Sequence, residues 1–425
     1  MRAKILGAFI IALVLVLGSI LAYNWKTIVP ATTQTVTAIA SSQATTTITQ
    51  SSPTKILSMM GKVKVPTNGC YLGAWAGHED ITKFESMIGK KLAMRNVYYA
   101  WGYGFPSKAL ESMMKFDMIL VLSWNIALHN PAIGRANLPI KLQDIIDGKY
   151  DNYLTEWARS ARAFGNRILL NPGYGMNGEW MLWGGANNFG KYSNQSWRQA
   201  DDLNKYYGHP LKPDGPERFV DAWRHIHNIF KQQEVSNVEW LWTTTDPGPD
   251  LPWNSSENYY PGDEYVDWVG CFIYNFGYFE TESGIMKAWQ DFETRFENHN
   301  PAKVYTKYSH KPFMITEISC SQERMPGVSG DKASWISDAL TKIKTKYRNI
   351  KAVMWFHEEK KSQGERDWRV DSSPEALEAY RKAISDPYFL DRIMFETSSS
   401  TPASSPYSGM IAIPLAASFS KIGSR

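Results

Sequence analysis

Short apolar runs recur along the middle of the chain at residues 70–75, 92–99, 118–124, 167–170, 238–242, 266–273, 313–316 and 352–356. They are continuous rather than alternating, the pattern of strands buried on both faces. Between them lie segments with apolar residues at helical spacing. Residues 153–164 carry Leu154, Trp157, Ala158 and Ala161; residues 218–230 carry Phe219, Ala222, Trp223, Ile226, Ile229 and Phe230; residues 335–343 behave likewise. Eight strands alternating with helices predict an α/β fold, a (β/α)8 TIM barrel. The alternative is an open doubly wound sheet, but no glycine-rich phosphate fingerprint follows the first strand.

The pattern changes at both ends. Residues 5–22 are apolar or small and follow Arg2 and Lys4. Such a stretch is long enough to span a bilayer, with its positive flank on the cytoplasmic side. Ile20 stands where a small residue would precede a cleavage site, which favours an uncleaved membrane anchor over a signal peptide. Both readings put the rest of the chain outside the cytoplasm. Residues 30–60 form a Ser/Thr-rich linker that cannot bury enough apolar surface to order itself. The expected organisation is residues 1–29 as anchor or signal, 30–60 as linker, 61–392 as the barrel and 393–425 as a low-complexity tail.

Composition narrows the function. The net charge of +4 is small for 425 residues, and no basic cluster interleaves with aromatics, so nucleic-acid binding is not suggested. The chain is rich in Trp (17) and Tyr (22), amphipathic rings that suit the apolar faces of sugars as well as cores. The 3 cysteines, Cys70, Cys271 and Cys320, give no disulfide framework, although an exported chain could pair two of them. Their spacing fits no zinc motif. No metal or other cofactor is implied. Sequons begin at Asn194 and Asn254.

The most informative stretch is residues 171–185, N-P-G-Y-G-M-N-G-E-W-M-L-W-G-G, placed where a buried strand gives way to a loop. It resembles the strand-end motif of glycoside hydrolase family 26, known best from β-mannanases. Residues 142–153, 260–270 with 274–275, 312–317, and 355–356 with 367–373 resemble further segments of that family in the family's order. The resemblance implies a barrel with its site at the C-terminal ends of the strands and retaining hydrolysis of a β-linked polysaccharide, β-mannan first. Retention needs two carboxyl groups about 5–5.5 Å apart. The resemblance assigns the nucleophile to Glu317 and sugar-binding positions to Asn177, Trp180, Tyr274 and Trp355. From the residues alone, Glu317 at the end of an apolar strand reads as a site carboxylate or as a rim ion pair, and the aromatics as cleft or core.

The motif departs from the family at three positions. The acid/base Glu falls on Gly175, the preceding His on Tyr174 and an upstream Arg on Asn171. Glu179, His357, Glu358 and Tyr174 are the conceivable substitutes, although Glu179 suits an ordinary motif position, His357 and Glu358 suit a solvated rim, and a phenol is a poor acid at neutral pH. Trp75, Trp124 and Trp183 are further candidates to line the cleft, and Arg369 is a candidate to hold the eighth loop. Two functions remain: a hydrolase with a displaced acid, or a catalytically impaired relative that binds polysaccharide.

Overall fold

The structure, a computed structural model, describes residues 61–77, 80–114, 117–130, 135–188, 214–246, 252–280, 286–287, 289–322 and 331–396. The expected membrane segment, linker and most of the tail lie outside the described residues, as does the sequon at Asn194.

Among the described residues, eight parallel strands form the barrel: β1 (Cys70–Trp75), β2 (Met94–Trp101), β3 (Ile119–Asn130), β4 (Ile168–Pro172), β5 (Val238–Thr244), β6 (Trp268–Asn275), β7 (Phe313–Cys320) and β8 (Ile350–Phe356). β8 pairs with β1 in parallel register from Tyr71↔Ala352 to Trp75↔Phe356, which closes the sheet. The (β/α)8 expectation therefore holds. Helices between the strands include α1 (Ile81–Ile88), α2 (Ser107–Met113), α3 (Leu142–Ile146), α4 (Asp151–Phe164), α5 (Asp214–Gln232), α6 (Phe292–Glu297), α7 (Asn300–Lys307), α8 (Lys332–Thr345) and α9 (Pro374–Ile384). The three helical segments read from spacing fall within α4, α5 and α8. In α4 the buried positions Leu154, Trp157, Ala158 and Ala161 are those the spacing selects.

Two apolar layers follow from the two faces of each strand. Tyr71, Met94, Ile119, Val121, Leu169, Leu241, Trp268, Met314, Ala352 and Met354 fill the barrel interior. The alternate residues face the helices; Trp124 stacks there between Trp101 (4.7 Å) and Trp157 (4.1 Å). Trp124 is thus a core residue rather than a cleft one. The bottom of the barrel is plugged by Val63, whose N–H donates to the buried Glu239 carboxylate at 2.7 Å. Val63 also bridges to Phe395, so pairing runs past the expected boundary at 392. Cys70, Cys271 and Cys320 are all buried, and none of them forms a disulfide.

Two strands run four or more residues past their predicted ends. β3 runs on to pair antiparallel with Arg135–Pro139. β7 runs on to Cys320 through a bulge, because its polar residues Thr316, Glu317 and Ser319 are buried rather than exposed. No helix among the described residues is long and apolar enough to cross a membrane.

Candidate active site

The bulge in β7 sets up the site. Ile315 pairs with Cys271 while Glu317 pairs with Phe272, so Thr316 is the extra residue, and its hydroxyl donates to the Cys271 carbonyl at 3.2 Å. A bulge re-aims the side chain that follows it. Here that side chain is Glu317, only 4% exposed at the C-terminal mouth. Its Oε2 accepts a hydrogen bond from the Tyr274 hydroxyl at 2.5 Å, and its Oε1 accepts one from the Tyr98 hydroxyl. Burial pushes the carboxyl up from 4.5 to about 6, and the two phenols and the charge of Lys360 hold it from going higher. The same burial, with the field of Glu317, pushes the hydroxyls of Tyr98 and Tyr274 well above the usual range, so both stay protonated as donors.

A second tier supports these groups. Trp368 packs edge-on against Tyr274, with ring centroids 5.0 Å apart, and its indole N–H donates to Glu365 at 3.2 Å. Glu365 forms a buried 2.5 Å ion pair with Lys360. Trp75 packs edge-on against Tyr98 at 5.0 Å and donates its indole N–H to Glu358 at 3.0 Å.

The loop after β4 is built differently. Tyr174 lies under Tyr98 (5.6 Å) and against Phe272 (5.8 Å) and Trp183 (5.1 Å), and its carbonyl accepts the Trp183 indole N–H at 2.7 Å. Burial and the charge of Glu317 push its hydroxyl well above the usual range. Gly175 has φ +64°, and a Cβ there would stand 2.8 Å from Phe272, 2.9 Å from Thr245 and 3.0 Å from Met181. This position is left-handed, and a side chain there would be strained and would have to displace these neighbouring side chains.

The other expected residues divide. Tyr274 meets Glu317 as described. Trp180, half-buried on the motif loop, lies 3.0 Å from the position of a Cβ on Gly178. Asn177 is fully buried and serves the loop itself: its Oδ1 accepts the Thr245 N–H at 2.8 Å, and its carbonyl accepts the Asn254 amide at 2.8 Å. Asn254, a sequon residue, also accepts the Tyr259 hydroxyl at 2.5 Å, so it is a buried clamp. Trp355 does not reach the mouth. Met354 and Phe356 alternate with it toward the barrel axis, while Trp355 packs on Tyr380 of α9 at 5.3 Å and donates to the Trp368 carbonyl at 2.9 Å. His357 is buried rather than at a solvated rim; its Nδ1 accepts the Val370 N–H at 3.1 Å, and burial lowers its pKa to about 4. Arg369 forms a two-point ion pair with Asp367 at 2.9 and 2.7 Å. Trp183 is buried against Tyr174.

Tyr98, Lys360 and Glu365 were not selected from sequence. Only counting by twos along β2 from the inward Met94 places Tyr98 on the barrel axis. No cluster of three or more metal-ligating side chains occurs among the described residues.

Fold and site together define a closed parallel barrel that holds a shielded carboxylate at its C-terminal mouth. The family model described as glycosyl hydrolase family 26 matches residues 143–292. It is 29% identical over 347 residues to Endoglucanase H of Acetivibrio thermocellus, a match covering 80% of this chain and 33% of that protein. It is 25% identical over 175 residues to Mannan endo-1,4-beta-mannosidase A and B of Caldalkalibacillus mannanilyticus, covering 40% of this chain and 27% of that protein. The chain thus spans about a third of the length of the first relative and about a quarter of the second. A solved GH26 beta-mannanase from Bacteroides ovatus superposes with a TM-score of 0.50 at 15% identity, covering 80% of this chain and 95% of that chain, and shares the fold.

Proposed function

We propose that the chain is a retaining glycoside hydrolase that cleaves a β-linked polysaccharide, β-mannan first, outside the cytoplasm. The observation that carries the reading is Glu317. It is a buried carboxylate at the barrel mouth, with each oxygen held by a phenol that stays protonated. Such a group is oriented for attack on an anomeric carbon and becomes ionised above about pH 6. Attack through one oxygen forms a glycosyl ester, and water then hydrolyses the ester with net retention. Tyr98 and Tyr274 fix the carboxylate's plane, so little orientation is left to be found in the transition state. The two relatives, an endoglucanase and a mannan endo-1,4-beta-mannosidase, support a β-linked polymer and put glucan beside mannan. The exported location rests on the apolar segment at residues 5–22.

One observation favours a second reading, a polysaccharide-binding protein that does not cut. Position 175, where the family resemblance puts the acid, is a glycine crowded by the side chains of Phe272, Thr245 and Met181. Reducing-end release from β-mannan, mixed-linkage β-glucan and xylan separates the two readings, with Glu317→Gln as control. Hydrolysis by the wild type and a loss on the order of a thousandfold in the variant support the enzyme. Binding of a polymer with no release by either protein supports the second reading. Membrane fractionation of the full chain in a cell tests the location; recovery with cytoplasmic markers would refute export.

A further inference from the structure

We infer that Glu358, at the end of β8, is the proton donor and acceptor of this site, in place of a carboxyl on the β4 loop. The inference rests on the hydrolase reading of Glu317. That reading needs a second carboxyl beside the scissile bond, and Gly175 supplies none.

The neighbouring candidates are committed elsewhere. Glu365 is buried, ion-paired to Lys360 and bonded to the Trp368 indole. Asp246 is buried against Arg295. The phenols of Tyr98, Tyr174 and Tyr274 are held too far above neutrality to give up protons. Glu179 has no hydrogen bond to the groups around Glu317 among the described residues.

Glu358 is tied to the same aromatic pair as Glu317. It is half-buried, whereas its neighbour Glu359 is exposed. Its Oε2 accepts the Trp75 indole N–H at 3.0 Å. The same indole packs edge-on against Tyr98, whose hydroxyl bonds Glu317. One Trp–Tyr pair therefore contacts both carboxyl groups, from adjacent strands. The backbone is fixed as well: the His357 N–H donates to the Trp75 carbonyl at 2.8 Å, the Trp368 N–H to the Glu358 carbonyl at 3.0 Å, and the Lys360 N–H to the Arg366 carbonyl at 3.0 Å. A rigidly carried carboxyl with one oxygen bonded to an indole leaves the other oxygen available for a proton.

Glu317 attacks the anomeric carbon and forms an ester bond. The glycosidic C–O bond breaks, its electron pair stays on the leaving oxygen, and that oxygen takes the Glu358 proton. The Glu358 carboxylate then takes a proton from water; the water oxygen attacks the anomeric carbon, and the ester bond breaks to return the Glu317 carboxylate. No further reactant is needed.

The test compares wild type, Glu317→Gln, Glu358→Gln and Glu358→Ala in the full chain, on the polysaccharide that the wild type cuts and on a 2,4-dinitrophenyl β-glycoside of the same sugar. Dinitrophenolate leaves without a proton, so the two substrates report different needs. The Glu358 variants are expected to lose about 10²- to 10⁴-fold on polysaccharide, yet still to form the glycosyl-enzyme from the aryl glycoside. With azide added, Glu358→Ala should yield a β-glycosyl azide, which a merely structural role would not produce. Glu358 variants within about threefold of wild type on polymer, while Glu317→Gln is dead, would overturn this inference alone. Equal losses on both substrates with no azide product would do the same. Full activity in Glu317→Gln, or no cleavage of either substrate by the wild type, would overturn the hydrolase reading and this inference with it. Matching thermal unfolding of Glu358→Gln and wild type guards against a folding defect.

Discussion

The ends of β7 and β4 stand on the same rim of the barrel, both against Tyr98, and they have been resolved in opposite ways. At β7 a charge is kept in a site that disfavours it. Glu317 is buried, its carboxyl is raised to about 6, and two phenols orient it. At β4 the corresponding rim position carries no side chain. Gly175 turns left-handed among Phe272, Thr245 and Met181, and Asn177 bolts the loop to Thr245. A carboxylate retained at an energetic cost marks a functional position. A glycine enclosed by apolar neighbours marks a position whose job has become packing. The difference teaches that one rim position can be built around a charge while its neighbour is built for packing.

The sharpest way to break the comparison is Gly175→Glu. Three contacts at 2.8–3.0 Å and a backbone that L side chains rarely adopt predict a loss of about 3 kcal/mol or more in urea unfolding, with no gain in polysaccharide cleavage. Wild-type stability with raised activity would show that the position is merely empty. Asn177→Ala comes next. It strands the buried Thr245 N–H and should cost about 2 kcal/mol, with KM unchanged where the protein remains folded. A raised KM at unaltered stability would return Asn177 to the sugar-binding role.

Glu317→Gln sharpens the other side. The folded carboxyl titrates near 6 against an ordinary 4.5, so the folded state holds the proton more tightly than the unfolded one. Its stabilising contribution is complete below pH 4.5 and is lost as pH rises through 6. The neutral Gln escapes that loss. The variant should therefore be more stable than wild type by about 2 kcal/mol at pH 7, and the gain should vanish near pH 4.5. A variant less stable at pH 7 would refute the assigned environment. The smallest effect is expected for Tyr274→Phe. Removing a donor to the carboxylate raises its pKa further, so the acid limb of kcat/KM should move to higher pH by up to about one unit. A downward shift would contradict the hydrogen bond.

Much of the barrel was legible because parallel strands buried on both faces read as continuous apolar runs. The parts that were not legible have specific causes. β7 stops short in the sequence because Glu317 and Ser319 interrupt its apolar run, although both are buried. Glu317 was nevertheless visible, since an acid on an apolar strand demands an explanation. Tyr98 was not, because a tyrosine at a strand end suits core, rim or site equally well. Trp355 was misplaced by resemblance when parity would have placed it: Met354 faces the axis, so its neighbour cannot. Asn177 and Asn254 are polar loop residues whose partners lie far along the chain, and no local pattern reports that clamp.

The central claim, that Glu317 is the group that bonds to sugar, is tested most directly by trapping. The protein would be incubated with 2-deoxy-2-fluoro-β-mannosyl and β-glucosyl fluorides, whose leaving group needs no acid, and digested for mass spectrometry. The account predicts one glycosylated peptide, with the label on Glu317, and none in Glu317→Gln. A label on another carboxylate, or an unlabelled protein that still hydrolyses polysaccharide, would contradict it.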